Sequence, residues 1–206
     1  PSYLETVSSP GSFALAANGV AAILVDTNDW PGVIRAAHDL SADVNRVVGR
    51  SPAIFHQLDS RSKNIIIVGT IGKSGFIQRL AREKKIDLSP IAGKWESFFL
   101  QVVPAPFPGI DSALVICGSD KRGATYGVYD LSEQIGVSPW YFWADVPTRH
   151  QERLFVQAGK FVHGPPSVKY RGIFLNDEAP DLSGWVRFKF GTVPGYPNAA
   201  NYGRGF

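Results

Sequence analysis

The side chains best suited to chemistry stand at the end of an apolar segment in the second half of the chain. The stretch Ser167–Trp185 contains an apolar strand that leads directly into Asn176, Asp177 and Glu178. A strand that ends in carboxylates is how a sheet or barrel aims acid and base groups at a substrate. Because adjacent residues of a strand point to opposite sides, Asp177 and Glu178 reach one atom together only if the strand has already ended.

A basic pair stands at the start of a predicted helix. Lys121 and Arg122 follow Asp120, and the backbone amides at the beginning of a helix favour an anion. A sugar carboxylate or a phosphate is therefore a candidate ligand for Lys121 and Arg122. In the alternative interpretation, Asp120 caps the helix and both cations are solvated.

An aromatic segment, Trp140-Tyr141-Phe142-Trp143-Ala144-Asp145, follows that helix. Read as a strand, it points Tyr141 and Trp143 to one side and its other two rings to the opposite side. Aromatic faces beside a carboxylate suit the apolar C–H faces and the hydroxyls of a carbohydrate, so Trp143 and Asp145 are candidate substrate-binding residues. Packing of these rings in the core is the alternative.

A glycine-containing loop resembles a phosphate-binding loop but lacks its length. The apolar run that ends at Val68 leads into Gly69-Thr70-Ile71-Gly72-Lys73-Ser74. A phosphate loop needs its first glycine at the position of Ile67, because its amides must wrap around the phosphates. The sequence favours a tight strand-to-helix turn capped by Ser74 over a nucleotide site.

Composition excludes several classes of protein. With 206 residues, 44% hydrophobic and 19% charged, the chain suits one large domain or a domain plus a fragment. The net charge is +3 without a run of like charges, which argues against a nucleic-acid or membrane-surface partner. The single Cys117 allows no internal disulfide and reads as a buried, inert thiol. The four histidines show no metal-ligand spacing, and we expect neither a metal nor a cofactor.

Apolar runs and helical periods alternate along the first two thirds of the chain, which predicts an α/β layered domain. A hairpin signal, Asn18-Gly19, separates the first two apolar runs. The predicted strands cover residues 13–16, 21–25, 53–55, 64–68, 98–103 and 113–116. The predicted helices run from Pro31 to a stop at Gly49, around 76–81, and from Ala124 to Gln134.

Taken together, these motifs resemble glycoside hydrolase family 115. The resemblance covers about residues 10–206, is weaker before Lys121, and is carried by Ser119–Gly123, Tyr126–Tyr141, Trp143–Pro147, Gly164–Pro180 and Gly184–Trp185. The family consists of xylan α-1,2-glucuronidases, which remove glucuronic acid or its 4-O-methyl ether from xylan side chains with inversion. Its architecture is an α/β domain followed by a (β/α)8 barrel and further domains.

The resemblance implies a domain plan for this chain. Residues 1–163 are expected to form the N-terminal α/β domain and residues 164–206 the start of a truncated barrel. Lys169–Asn176 would be the first barrel strand and Leu182–Phe206 the loop after it. We expect the chain to be the N-terminal fragment of a secreted enzyme, inactive alone, whose partner is the remainder of the same polypeptide.

The resemblance also suggests roles for the candidate residues. Glucuronoxylan or an acidic xylo-oligosaccharide is the implied substrate, with Asp177 or Glu178 in the catalytic set and Asn176 on sugar hydroxyls. Inverting hydrolysis needs two carboxyl groups roughly 6.5–9.5 Å apart, so the other carboxyl would come from outside this chain. Two alternatives stay open at this point. In the first, one of the two carboxylates caps the next segment beside Pro180. In the second, the whole chain is a non-catalytic module that binds acidic carbohydrate through its cations and aromatic rings.

Overall fold

The computed structural model describes residues 2–59 and 61–172. The chain divides into two compact units, residues 1–166 and 167–206. The domain boundary that the sequence suggests, after His163, stays a prediction. None of the described helices has the length and apolarity that crossing a bilayer requires.

The first unit contains nine strands and four helices among its described residues. The strands are β1 (Leu4–Glu5), β2 (Phe13–Ala16), β3 (Ala22–Val25), β4 (Ile54–Phe55), β5 (Asn64–Thr70), β6 (Phe98–Pro104), β7 (Ser112–Gly118), β8 (Leu154–Val156) and β9 (Lys160–His163). The helices are α1 (Pro31–Val48), α2 (Gly75–Arg82), α3 (Lys121–Gln134) and α4 (Tyr141–Ala144).

A six-stranded sheet forms the centre of this unit, in the order β4-β3-β5-β7-β6-β9. The first four strands of that order are parallel to one another, β6 runs antiparallel to β7, and β9 runs antiparallel to β6. The central strands are apolar at nearly every position because both faces of the sheet are covered. Alternate residues enter two separate cores: Ile66, Val68, Leu114 and Ile116 the first, and Ile65, Ile67, Val115 and Cys117 the second.

Helices cover the two faces of the sheet. Helices α1 and α3 pack on the first core and α2 on the second. Pro31 begins α1, and Gly49, with a φ of 71°, ends it in the left-handed conformation. Ser74 caps α2 by accepting from the amide of Ile77 at 3.4 Å. The prediction of a layered α/β domain is therefore confirmed.

The turn predicted at Asn18-Gly19 is present: Ala16 and Val20 form an isolated antiparallel bridge across it, and the amide of Ala21 donates to the carbonyl of Leu15 at 2.9 Å. The turn does not pair β2 with β3 as a two-stranded hairpin. Strand β2 instead pairs with β8 in a three-stranded antiparallel sheet of order β1-β8-β2. Strand β3 is buried at all four positions, and a strand buried on both faces gains more from two parallel neighbours in the large sheet than from a hairpin partner.

The predicted first barrel strand, Lys169–Asn176, is not confirmed. Its described part, through Gly172, is not in a strand. The rest of that strand and the predicted loop Leu182–Phe206 lie outside the described residues. The barrel therefore stays a prediction.

Cys117 lies on β7 with none of its surface exposed, and burial raises the pKa of its thiol to about 12. Because the thiolate is the reactive form, we expect Ellman's reagent at about pH 8 to label the folded chain at least about 100-fold more slowly than the chain in guanidinium. Cys117 is the only cysteine, so the signal has one source. Rapid labelling of the folded chain would mean that the centre of the sheet opens readily.

Candidate functional site

The carboxyl ends of the parallel strands form one edge of the sheet, where open α/β sheets usually bind ligands. Strand β3 ends at Val25, β5 at Thr70 and β7 at Gly118, with Thr70 and Gly118 directly paired. The loops after these strands carry Asp26, Asp29, Trp30 and Lys73, and β7 leads into Asp120. The edge therefore gathers three acidic side chains and cations from α3 and the β5–α2 loop.

The chain's own carboxylates occupy the anion-binding positions of this edge. Asp26 Oδ2 accepts the amide of Gly75, at the start of α2, at 2.7 Å. Asp29 accepts the amide of Thr70 at 2.8 Å and its hydroxyl at 2.7 Å. A phosphate at α2 would have to displace the Asp26 carboxylate, which adds to the length argument against a nucleotide site after β5.

Asp120 occupies the start of α3 in the same way. Its Oδ1 accepts the amide of Gly123 at 2.8 Å, and its Oδ2 accepts the amide of Glu96 at 2.8 Å. Arg122 donates to Glu96 Oε1 at 2.9 Å, and the Glu96 side chain is only 6% exposed. The expected cap is therefore present, but Arg122 is held by an ion pair instead of being simply solvated.

Lys121 joins a small cleft of about 360 Å³ around Trp30. Trp30 is 39% exposed. The Lys73 ammonium lies 4.4 Å and the Lys121 ammonium 5.6 Å from the centroid of its indole ring. Arg122 and Tyr126 line the same cleft. Two cations beside one partly exposed indole suit a ligand that combines an apolar surface with a negative charge.

A larger groove of about 740 Å³ lies between α1, α3 and α4. Trp143 lines it together with Tyr129 and Tyr141, and Tyr126 lines both this groove and the Trp30 cleft. The predicted strand through this aromatic segment is wrong, because Tyr141–Ala144 forms one helical turn. Residues 138–141 bend through a hydrogen bond from the amide of Tyr141 to the carbonyl of Ser138, which starts a helix and removes the alternation of a strand.

Ionisable side chains from α1 and α3 line the groove. Asp43 accepts from Arg46 at 2.6 Å, and burial raises the pKa of Asp43 in spite of the opposing effects of Ser132 and Arg46. The Tyr129 hydroxyl donates to Asp39 at 2.9 Å. Burial, with the charge and hydrogen bond of Asp39, raises the pKa of Tyr129 to about 12. Arg35 pairs with Asp39 and Arg46 with Asp43. Asp130 and Glu133 line the groove outside these ion pairs, so the groove presents aromatic rings beside an excess of carboxylates.

The seven predicted site residues are thus separated. Lys121 and Arg122 line the Trp30 cleft and Trp143 lines the groove. Asp145 directly follows α4 with a φ of 52° and lines neither. The predicted site residues Asn176, Asp177 and Glu178 lie outside the described residues. Within the described part of the chain, no group of three His, Cys, Asp or Glu residues is placed to hold a metal ion.

Trp30 and Lys73 are site residues that the sequence reasoning missed. In the chain, Lys73 lies 43 residues after Trp30, and Lys121 lies 91 residues after Trp30. Only the register of β3, β5 and β7 brings them to one edge. The available signal was the position that they share, because each follows closely after a predicted strand.

Comparison with known proteins identifies the family. Residues 163–206 match the model of glycosyl hydrolase family 115. The chain also matches the solved structure of a family 115 4-O-methyl-α-glucuronidase with specificity for decorated arabinogalactans. That match has 34% identity and a TM-score of 0.70, and it covers 88% of this chain and 22% of the other. The chain belongs to glycoside hydrolase family 115.

Two family 20 enzymes match this family 115 chain more weakly. A β-N-acetylhexosaminidase from Streptomyces coelicolor A3(2) has 12% identity and a TM-score of 0.45, covering 81% of this chain and 26% of its own. The Flavobacterium johnsoniae chitobiase has 14% identity and a TM-score of 0.47, covering 85% and 21%. No curated protein matches the chain.

The family 115 match concerns the N-terminal part of the longer relative. Our chain spans 22% of that relative's length. The described α/β domain therefore corresponds to one portion of a family 115 protein, and most of the relative's length has no counterpart in the 206 residues.

Proposed function

We propose that this chain is the N-terminal portion of a secreted α-glucuronidase. The enzyme would remove glucuronic acid or its 4-O-methyl ether from the side chains of glucuronoxylan, with inversion at the anomeric carbon. The observation that carries this proposal is the 34% identity to a family 115 4-O-methyl-α-glucuronidase over 88% of the chain. Because that relative is described as specific for decorated arabinogalactans, decorated arabinogalactan is the competing substrate.

In this proposal the chain is inactive alone and depends on the remainder of the polypeptide. Asp177 or Glu178 contributes one carboxyl group of the inverting pair, and the remainder of the polypeptide supplies the other across roughly 6.5–9.5 Å. Asn176 binds sugar hydroxyls, and Lys121, Arg122, Trp143 and Asp145 contact more distant parts of the substrate.

The test measures release of glucuronic acid from glucuronoxylan and from decorated arabinogalactan, by the 206-residue chain and by the complete gene product. We expect the complete product to hydrolyse glucuronoxylan and the 206-residue chain to be inactive. In the complete product, Asp177→Asn or Glu178→Gln should lower kcat by about 100-fold or more if that group transfers a proton. Full activity in both variants would contradict the catalytic assignment.

Acidic carbohydrate binding without catalysis is a second candidate, favoured by the ammonium groups of Lys73 and Lys121 beside the Trp30 ring. The same preparations should then retain glucuronoxylan without hydrolysing it. Lys73→Ala and Lys121→Ala should weaken retention of glucuronoxylan but not of neutral xylan. Lys94→Ala removes the same charge from an exposed position outside the cleft and is the matched control. Equal effects of all three substitutions would indicate only a change in net charge.

A further inference from the structure

Asn18 and Gly19 form the exposed tip of the turn between β2 and β3. Two backbone hydrogen bonds close this turn, each with a length of 2.9 Å. In one, the amide of Ala17 donates to the carbonyl of Gly19, and in the other, the amide of Ala21 donates to the carbonyl of Leu15. Strand β2 belongs to the three-stranded sheet and β3 to the six-stranded sheet. An Asn-Gly pair therefore stands at the junction of the two sheets.

The Asn18-Gly19 pair contains both partners of an intramolecular reaction. The backbone nitrogen that follows an asparagine can attack the Cγ atom of the asparagine side chain and close a cyclic imide. Because both groups belong to one short segment of chain, their effective molarity is high. Glycine in the second position favours the attack, since it has no side chain to obstruct the approach and its backbone adopts many conformations. The reaction at Asn18 then depends on whether the fold leaves the Gly19 nitrogen available.

The fold leaves the Gly19 nitrogen available. Within residues 2–59 and 61–172, neither the Gly19 amide nor the Asn18 carboxamide makes a hydrogen bond. A Cβ atom at Gly19 would meet nothing within 4 Å, so the space beside this part of the backbone is open. The attack on Cγ therefore requires no native hydrogen bond to break and no neighbouring group to move.

The other asparagines that the structure describes lack this combination. Asn28 is followed by Asp29, whose amide donates to the carbonyl of Asp26 at 3.1 Å. Asn45 lies inside α1, and Asn64 begins the central strand β5. In these regular elements the nitrogen after the asparagine is committed to a backbone hydrogen bond. Asn18 is thus the most exposed to attack by its neighbour.

The charges around the turn also favour the reaction. The attacking species is the deprotonated Gly19 nitrogen, and a nearby positive charge stabilises an anion. Arg50 donates to the carbonyl of Ala17 at 3.4 Å. Lys63 lines a cleft of about 430 Å³ together with Asn18 and Gly19, and no acidic side chain is among the described residues that line this cleft. Because the cations are exposed, solvent screens them and their effect on the rate is modest.

We propose that Asn18 is a site of spontaneous covalent modification, in which water replaces the side-chain amide through a cyclic imide. The bond between the Gly19 nitrogen and Asn18 Cγ forms while the Cγ–Nδ2 bond breaks, and the proton of the Gly19 amide leaves with that nitrogen as ammonia. Water then opens the ring at either carbonyl. Opening at Cγ gives aspartate, and opening at the main-chain carbonyl gives isoaspartate. The inference is independent of the proposed glucuronidase function, because it needs only the turn and water.

The two products should affect the turn differently. Aspartate adds a negative charge beside Lys63 and Arg50 and leaves the backbone unchanged. Isoaspartate routes the main chain through the former side chain and adds a methylene group between Ala17 and Gly19, so the hydrogen bond between these two residues loses its geometry. We expect the Ala17 amide to exchange with solvent at least about 10-fold faster in the isoaspartate form than in Asn18→Asp.

Incubation of the 206-residue chain at about pH 8, where the thiol of Cys117 stays buried and inert, tests the proposal. Peptide mapping by mass spectrometry, with an isoaspartyl methyltransferase to label isoaspartate, measures modification at each asparagine. We expect both aspartate and isoaspartate at Asn18, formed within about 10-fold of the rate in guanidinium, because the native turn does not protect the Gly19 amide. Asn28 in the same folded chain should react at least about 10-fold more slowly than Asn18.

Gly19→Ala is the matched variant. Its methyl group enters open space, so the thermal midpoint should stay within about 2 °C. The methyl group obstructs the approach of the nitrogen to Cγ and restricts the backbone, and we expect modification at Asn18 to slow by about 10-fold or more.

Three results would overturn the proposal. A rate at Asn18 that is more than about 10-fold slower in the folded chain than in guanidinium would mean that the fold protects the turn. Aspartate without isoaspartate would indicate direct hydrolysis of the side chain, with no imide. Equal rates of modification in Gly19→Ala and in the unsubstituted chain would show that access to the backbone nitrogen of residue 19 does not control the reaction.

Discussion

Replacing Gly123 by alanine is expected to lower the free energy of unfolding by about 3 kcal/mol, or to prevent folding. A Cβ atom at Gly123 would lie 2.2 Å from the backbone carbonyl oxygen of Ser97. That oxygen also accepts the amide of Ser119 at 2.8 Å, so it cannot move away without breaking the link between the start of β6 and the end of β7. Helix α3 would have to shift as a whole.

Gly32→Ala is the matched control. Gly32 also lies in the first turn of a helix, but a Cβ atom there meets nothing within 4 Å. Helix propensity alone favours alanine at both positions by about 1 kcal/mol, so Gly32→Ala should stabilise the chain slightly. Urea denaturation followed by circular dichroism measures both variants. If they behaved alike, the close approach of α3 to Ser97 would not be a determinant of the fold.

Replacing Asp29 by alanine should cost about 3 kcal/mol of unfolding free energy. Asp29 is 4% exposed and connects the loop after β3 to the end of β5, where it accepts the amide and the hydroxyl of Thr70. It also accepts the amide of Trp30 at 2.8 Å. Without the carboxylate, the Thr70 donors stay buried and unpaired, and each unsatisfied group costs about 1–3 kcal/mol.

Asp87→Ala tests whether the loss of unfolding free energy in Asp29→Ala is caused by the burial of the Asp29 hydrogen bonds. Asp87 accepts an amide and a hydroxyl from one residue, Ser89, at 2.9 and 2.7 Å, but these bonds are exposed. Water can replace the exposed carboxylate, so a loss of only about 0.5 kcal/mol is expected. Asp29→Asn keeps one carbonyl acceptor and should recover part of the loss. Equal losses from Asp29→Ala and Asp87→Ala in urea denaturation would refute the role of burial.

Local rules predicted the parts of the fold that short-range chemistry determines. Pro31 and Gly49 delimit α1, and Ser74 and Asp120 cap their helices as expected. The apolar runs around Ile66 and Val115 read correctly as strands, because a strand covered on both faces has no polar position. The family was also accessible from the sequence, because its motifs are long and nearly continuous.

Tertiary contacts explain what the sequence did not predict. Four apolar residues such as Tyr141–Ala144 fit a strand and a helical turn equally well, since so short a run carries no measurable period. The turn signal at Asn18-Gly19 did not reveal the partner of β2, because β8, which is more than 130 residues later, pairs with β2. The Trp30 cleft depends on strand order, which single-sequence patterns do not contain.

The internal carboxylates at the sheet edge have a mechanical consequence. Asp26 fastens the loop after β3 to the start of α2, and Asp29 fastens the same loop to the end of β5. The loop after β3, the end of β5 and the start of α2 are thus joined by charge-assisted hydrogen bonds, which are stronger than neutral ones. The shape of this edge is therefore set by hydrogen bonds within the chain, before any ligand binds.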